Sequence, residues 1–309
     1  MKVGPYHIPV LLEPAVAGIL TRSDGVYVDV TFGGGGHSAA ILERLSEGGH
    51  LYSFDQDADA LENAQAETFK EHKEQFTFVR SNFRYLRNWM RYYGVGQIDG
   101  LMADLGVSSH HFDTEGRGFS FRFDAPLDMR MNQQGGQTAA DLVNTADATT
   151  LTRIFRFYGE LRQANRLADA IVRERTKAEI KTTGQLADIL SPLCVREHER
   201  KELTKVFQAL RIEVNHEMDA LQEMLMAAIG LLAPGGRLVV LSYHSIEDRI
   251  VKNLMRAGNL EGNVERDFYG RTNAPLIPIG KPITPSAEEQ EANPRSRSAK
   301  LRIAMKAEE

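Results

Sequence analysis

The sequence predicts an α/β fold, a doubly wound and mostly parallel sheet interrupted by an inserted all-helical domain. Three observations carry that prediction. An apolar, β-rich run breaks into glycines and enters a helical pattern: Val26-Tyr-Val-Asp-Val-Thr-Phe-Gly-Gly-Gly-Gly-His37, then Ser38 to Leu45. A second strand, His50-Leu-Tyr-Ser-Phe-Asp55, ends on an acid about 20 residues further on, where a doubly wound sheet places a carboxylate for ribose hydroxyls. Between Thr138 and Lys205 the pattern is wholly helical, whereas strands alternate with helices on either side.

The elements follow in order. His7-Ile-Pro-Val-Leu-Leu-Glu13 is extended and apolar, and Pro14 suits the first turn of a helix over Ala15 to Leu20. Asp57 to Phe69 has helical spacing, Phe76-Thr-Phe-Val-Arg80 alternates as a strand, and Phe83 to Tyr93 is an amphipathic helix with Arg84, Arg87 and Arg91 on a basic side. A fourth strand, Ile98 to Asp104, also ends on an acid. His110 to Gly136 is loop-like, and the helical stretch after it carries Arg153, Arg156, Arg162, Arg166, Arg173, Arg175, Lys177 and Lys181 against fewer acids. Such a run is usually a solvated face, with a phosphate-contacting surface as the sharper alternative. Val206 to Leu232 is expected as one long helix, Pro234-Gly-Gly236 as a turn, Arg237 to Tyr243 as a buried strand and Ala299 to Met305 as the last strand, with a loop-like excursion from Asn259 to Asn293. The expected domains are 1–109 together with 206–309, and the helical insertion 110–205.

Composition narrows the function. A net charge of -5 gives no global attraction to nucleic acid, so RNA contact needs local basic patches. Cys194 is the single cysteine, which excludes a disulfide framework or a cysteine-rich zinc site within one chain and suits a reducing cytoplasm. A secretory start and a membrane span are both missing from the pattern, so a cytoplasmic location is expected. The acids and histidines do not form a known ligand spacing, and no metal is expected.

The glycine loop lets backbone approach a ligand closely, and helix-start amides favour a polar or negative group. Together with Asp55 it predicts a nucleoside-bearing cofactor. A dinucleotide fingerprint wants a third glycine three places after the second, but Gly33 and Gly35 are followed by Ser38. The shorter pattern suits S-adenosylmethionine, while NAD remains the rival. Ligands in open α/β sheets bind beyond the carboxyl ends of strands, so the loops after Asp55 and Asp104 and the edge at His244 should converge.

The motifs His7-Ile-Pro-Val-Leu-Leu12, Thr31-Phe-Gly-Gly-Gly-Gly-His37, Asp104-Leu-Gly-Val-Ser-Ser109, Arg117-Gly-Phe-Ser-Phe121, Pro126-Leu-Asp-Met-Arg-Met131, Phe207-Gln-Ala-Leu-Arg-Ile212, Ala233-Pro-Gly-Gly-Arg237, His244-Ser-Ile-Glu-Asp-Arg249 and Asn293-Pro-Arg-Ser-Arg297 occur in this order. Together they resemble the bacterial small-subunit (16S) rRNA cytosine-N4 methyltransferases of the MraW or RsmH type, over nearly the whole chain. The resemblance implies a Rossmann-like class I methyltransferase sheet and transfer of a methyl group from S-adenosylmethionine to N4 of a cytidine in the decoding region. It implies cofactor contacts at Gly35, Gly36, His37, Asp55, Phe83 and Asp104, beside Gly33 of the glycine loop. Two departures are visible. His110 and His111 stand where the family has proline and glutamine, His111 at the position of a further cofactor contact, and Leu161 replaces an acid.

Cytosine N4 is a weak nucleophile, because its lone pair is delocalised into the ring. An acceptor for an N4 proton would orient the amine and help it become tetrahedral. Asp104 is the candidate, with Ser108 or Ser109 orienting the base and His244 contacting the base or relaying the released proton. A structural acid at a strand end and a packed histidine are the plainer readings. Phe119, Phe121 and Phe123, with Arg122 and Arg130, would hold a splayed base or form one face of a packed hairpin. The expected partner is 16S rRNA within the small subunit, and helix pairing between copies would give a homodimer. The rivals are a nicotinamide-dependent oxidoreductase, a non-catalytic assembly factor that keeps the pocket, and a methyltransferase acting on DNA or another RNA base.

Overall fold

The computed structural model describes residues 9–106, 116–266, 268–269 and 274–308, arranged as two compact units, 1–106 with 219–309 and 107–218. The first unit is built on seven strands: β1 (Val26–Asp29), β2 (His50–Asp55), β3 (Phe76–Arg80), β4 (Ile98–Asp104), β5 (Leu232–Ser242), β6 (Leu276–Pro278) and β7 (Lys300–Lys306). Their order is β3-β2-β1-β4-β5-β7-β6. The run from β3 to β5 is parallel, and β7 lies antiparallel to both β5 and β6. This is the expected Rossmann-like doubly wound sheet, with one reversed strand near its edge.

Parallel strands covered on both faces read as nearly continuous apolar runs. Leu101, Met102 and Ala103 of β4 and Leu238 to Leu241 of β5 are accordingly all buried. Helix Leu12–Ile19 buries Ala15, Val16 and Ile19 against this layer, and Gly100 is small because Ile19 and Tyr27 close over it. The carboxyl ends of β2, β1 and β4 stand side by side, which sets the position of the loops that follow them.

Three local expectations change. The pattern from Asp57 to Phe69 divides into helices Ala58–Asn63 and Glu67–Glu71. Strand β5 begins at Leu232, with Pro234-Gly-Gly236 forming an irregularity inside the strand instead of a turn before it. The stretch from Asn259 to Asn293 contains β6 and helix Ala287–Ala292, because β7 supplies backbone partners that a loop-like composition does not announce.

The second unit contains helices Ala139–Thr145, Ala148–Phe157, Ala164–Arg175, Thr183–Leu190 and Glu199–Val214. Their starts are set by side chains that accept from first-turn amides: Thr138 and Thr182 in capping boxes with Asp141 and Gln185, and Asp147 on the Thr150 amide. Val206, Phe207 and Leu210 join the core of this unit, so the boundary expected at residue 206 falls inside a helix of the insertion. The long helix expected over Val206 to Leu232 is broken at Asn215 and His216, where His216 takes φ 49°. Asn215 leaves the helical pattern to accept from the Met131 amide at 2.7 Å and donate to the Met129 carbonyl at 2.8 Å. The buried Arg211 then clasps Glu217 across the break with two contacts of 2.8 Å.

Leu161, at the family's acidic position, is buried in the same core. The basic run is less free than its sequence suggests. Arg153 pairs with Glu213 and Arg173 with Glu174, while Arg175 Nη1 donates to the carbonyls of Val143 at 2.8 Å and Ala146 at 2.6 Å. Arg175 thus closes the carboxyl end of helix Ala139–Thr145. Arg175→Ala should destabilise that helix by about 2 kcal/mol, seen as faster hydrogen exchange of its amides. Unchanged exchange would show that the two bonds contribute nothing net.

Candidate active site

The site rises from the end of β1. The backbone ladder continues past the strand, Val30 N–H to the Met102 carbonyl at 3.0 Å and Phe32 N–H to the Phe54 carbonyl at 2.8 Å, so the glycine loop emerges between β2 and β4. Beneath it lies Asp29, 1% exposed. Its Oδ1 accepts from the Thr31 amide at 3.0 Å, and its Oδ2 accepts from Ser38 Oγ at 2.6 Å. Ser38 Oγ also lies 2.8 Å from Ser53 Oγ on β2. A buried carboxylate satisfied in this way fixes the entry and exit of the loop together.

Gly33 and Gly35 adopt φ 52° and 78°, in the left-handed region that excludes most side chains. The Gly33 amide donates to Asp55 Oδ2 at 2.9 Å, the Asp57 amide donates to Asp55 Oδ1 at 2.9 Å, and Asn63 Nδ2 holds the Gly33 carbonyl at 3.0 Å. Asp55 is therefore aimed across the loop by backbone donors. Gly36 opens helix Gly36–Leu42 where Pro9 leaves no room for a Cβ, and Gly35 provides that helix with no side-chain cap.

Asp104, at the end of β4, is the second centre. Its amide donates to Thr31 Oγ1 at 2.6 Å, so Thr31 ties β4 to the loop after β1. The carboxylate Oδ2 lies 3.8 Å from His37 Nδ1, and Tyr243, directly after β5, hydrogen-bonds to the carboxyl group. His37 is buried, with Nε2 3.1 Å from the Val10 carbonyl. Gly106 is small because the Tyr243 ring closes over it. Burial raises the Asp104 pKa above the ordinary carboxylate range, and the nearby Asp29 adds to the rise. His37, the Tyr243 hydroxyl and the Gly106 amide act in the opposite direction. Burial, reinforced by Asp104, likewise raises the Tyr243 phenol.

Phe83 is half-buried in the turn after β3, and its neighbour Asn82 donates to Gln56 Oε1 at 2.9 Å, joining the loops after β3 and β2. Gly33, Gly35, Gly36, His37, Asp55, Phe83 and Asp104 thus all lie at the carboxyl ends of adjacent strands or in the turns and helix start that follow them. Ser108, Ser109 and His111 lie outside the described residues, as does His7. His244 is otherwise engaged. It caps helix Ser245–Ala257, with Nδ1 accepting from the Glu247 amide at 3.4 Å, while Nε2 sits 3.0 Å from Glu247 Oε1 in poor alignment for a hydrogen bond. Its Nδ1 is thus engaged in that turn.

The proposed aromatic cradle also divides. Phe119 is buried, Phe121 meets Phe207 edge-on at 5.2 Å, and Arg130 is clamped on Asp128 at 2.7 and 2.8 Å. Phe123 and Arg122 remain exposed. Sequence reading passed over Asp29 and Tyr243. An acid enclosed by apolar residues in Val26 to Phe32 was the available signal for the first; nothing local marks the second.

The sequence profile of the MraW methylase family matches residues 5–307. The chain is 58% identical over 302 residues to the protein named Ribosomal RNA small subunit methyltransferase H of Bacteroides thetaiotaomicron, covering 97% of each chain. It is 54% identical over 311 residues to the protein of that name from Porphyromonas gingivalis strain ATCC 33277, covering 99% of this chain and 98% of the other.

Asp29→Asn would set an amide donor against donors of the loop. It should cost about 1–3 kcal/mol, read as a lower denaturation midpoint at unchanged slope from the fluorescence of Trp89, the single tryptophan. An unshifted midpoint would remove Asp29 as the anchor of the loop.

Proposed function

The chain belongs to the MraW methylase family and is an S-adenosylmethionine-dependent methyltransferase of small-subunit rRNA; from that premise we propose that it methylates the exocyclic N4 amine of a cytidine in the decoding region of 16S rRNA, within the small subunit. The observation that carries this reading is the Asp104 carboxylate, held between His37 and Tyr243 beside the glycine loop.

The residues fit the cofactor. Gly33 has open space where a side chain would be, and its φ lets the chain turn away from a ligand. The Asp55 carboxylate is oriented by the Gly33 and Asp57 amides, and a carboxylate is the group that accepts from ribose hydroxyls. The uncapped start of helix Gly36–Leu42 offers amides to a polar group. When bound, S-adenosylmethionine supplies an electrophilic methyl group.

The protein's part is orientation and electrostatics. Asp104 accepts one N4 hydrogen, turning the nitrogen lone pair toward the methyl donor and favouring the tetrahedral amine. Tyr243 and His37 fix the carboxylate and keep it from rotating. The proton lost from N4 passes to Asp104 or to water. Ser108 and Ser109 follow directly in the chain and are proposed to orient the base edge.

Labelled S-adenosylmethionine incubated with small subunits from cells lacking this gene should place label in N4-methylcytidine after nucleoside digestion. Label in another nucleoside, or none with the cofactor bound, would overturn the assignment. Asp104→Asn should lower kcat by roughly 10²-fold or more, measured at saturating S-adenosylmethionine. Because the Asp104 pKa is raised, its ionised form is lost as pH falls, beginning above the ordinary value near ~4. The transfer rate should therefore fall with decreasing pH in the mildly acidic range, and this limb should vanish in Asp104→Asn. A wild-type rate that is flat across that range would deny the carboxylate its role.

A further inference from the structure

We propose that the outer face of helix Leu86–Tyr92 is a second contact for rRNA, built to take a single-stranded segment apart from the methyl-transfer site. The inner side of the helix buries Leu86 and Met90 in the sheet unit. Outward, Tyr85 is 51% and Tyr92 76% exposed, and Trp89 is half-buried between the tyrosines of the same helix end. Trp89 stacks on Tyr93 with centroids 6.0 Å apart and meets Tyr92 nearly perpendicularly at 5.6 Å. Tyr93 in turn rests on Tyr52 of β2 at 5.2 Å. The rings are thus braced from beneath while their outer surfaces stay in water, where an isolated aromatic contributes nothing to folding.

Arginines run beside the rings. Arg84 is occupied by Glu223, whereas Arg87 and Arg91 are exposed and take part in no ion pair among the described residues. Helix Leu86–Tyr92 contains no acid. Bases stack on aromatic faces irrespective of sequence, and phosphates pair with guanidinium groups, so this combination matches an unpaired RNA strand on both counts. A second copy of the chain fits poorly. A two-fold contact centred here would bring Arg87 and Arg91 of both copies together, and the helix itself offers no acid to meet them.

The proposal rests on rRNA being the substrate and is independent of which base is methylated, so its test reads binding. Trp89 is the single tryptophan of the chain and therefore a reporter placed on the face itself. Titration with an unstructured RNA oligonucleotide should quench its fluorescence. Arg87→Glu with Arg91→Glu should reduce the slope of log affinity against log salt by about 1.4, the equivalent of two phosphate contacts to a single strand. Arg87→Lys with Arg91→Lys should retain the slope, and Tyr92→Ala should weaken binding roughly tenfold through lost stacking. Retained S-adenosylmethionine affinity checks that each variant is folded; if the glutamate pair is not, Tyr92→Ala and the lysine pair decide. Unquenched Trp89 with unaltered affinity in Tyr92→Ala would overturn the proposal. So would a dimer in sedimentation that these substitutions dissociate, since the face would then belong to a second copy.

Discussion

The Asp29 carboxylate is the constraint from which the site follows. A charge-bearing group at 1% exposure must find donors, and it finds them at Thr31 and Ser38, on opposite sides of the glycine loop. With both ends of the loop tied to one group, the path of Phe32 to Gly36 is settled within a narrow range. Thr31 then extends the same tie to β4 through the Asp104 amide, and Ser38 extends it to β2 through Ser53. The loop, Asp55 and Asp104 are therefore parts of one hydrogen-bonded frame. A frame of this kind holds catalytic groups without needing the ligand to order them.

Electrostatically Asp55 and Asp104 are prepared in opposite ways. Asp55 is surrounded by backbone N–H donors, which suit a carboxylate that accepts from neutral hydroxyls. Asp104 is desolvated, with its rise in pKa opposed by His37 and Tyr243. Desolvation strengthens whatever hydrogen bond the group makes with a reacting amine, at the expense of a narrower pH range. The separation of roles comes from surroundings, since both residues are aspartates at the ends of parallel strands.

Much of this was legible beforehand. The bounds of β2, β3 and β4 follow from apolar runs closed by Asp55, Arg80 and Asp104, and the glycine run marks a place where the backbone must turn. The helical character of residues 139–214 follows from periodicity and from capping residues such as Thr138 and Thr182. The break at Asn215 was hidden, because Val206 to Leu232 keeps a helical pattern throughout; it exists because Asn215 has backbone partners 84 and 86 residues away. The capping role of His244 was hidden for a related reason: a place at a strand end does not announce that its Nδ1 accepts from the Glu247 amide at the start of the next helix.

Sequence by itself determined the fold class, the glycine loop, the acids at the ends of β2 and β4 and the family resemblance. Each of these is written in neighbouring residues, through period, turn chemistry and motif order. The tertiary structure alone decided what each polar group is for. It assigned Arg175 to a helix end, Arg130 to Asp128, Tyr243 to Asp104 and Trp89 to a braced, exposed face. For Arg175 and Tyr243 the assignment depends on which distant atoms come within about 3 Å, the range over which a hydrogen bond has its strength, and no local pattern along a chain encodes that distance.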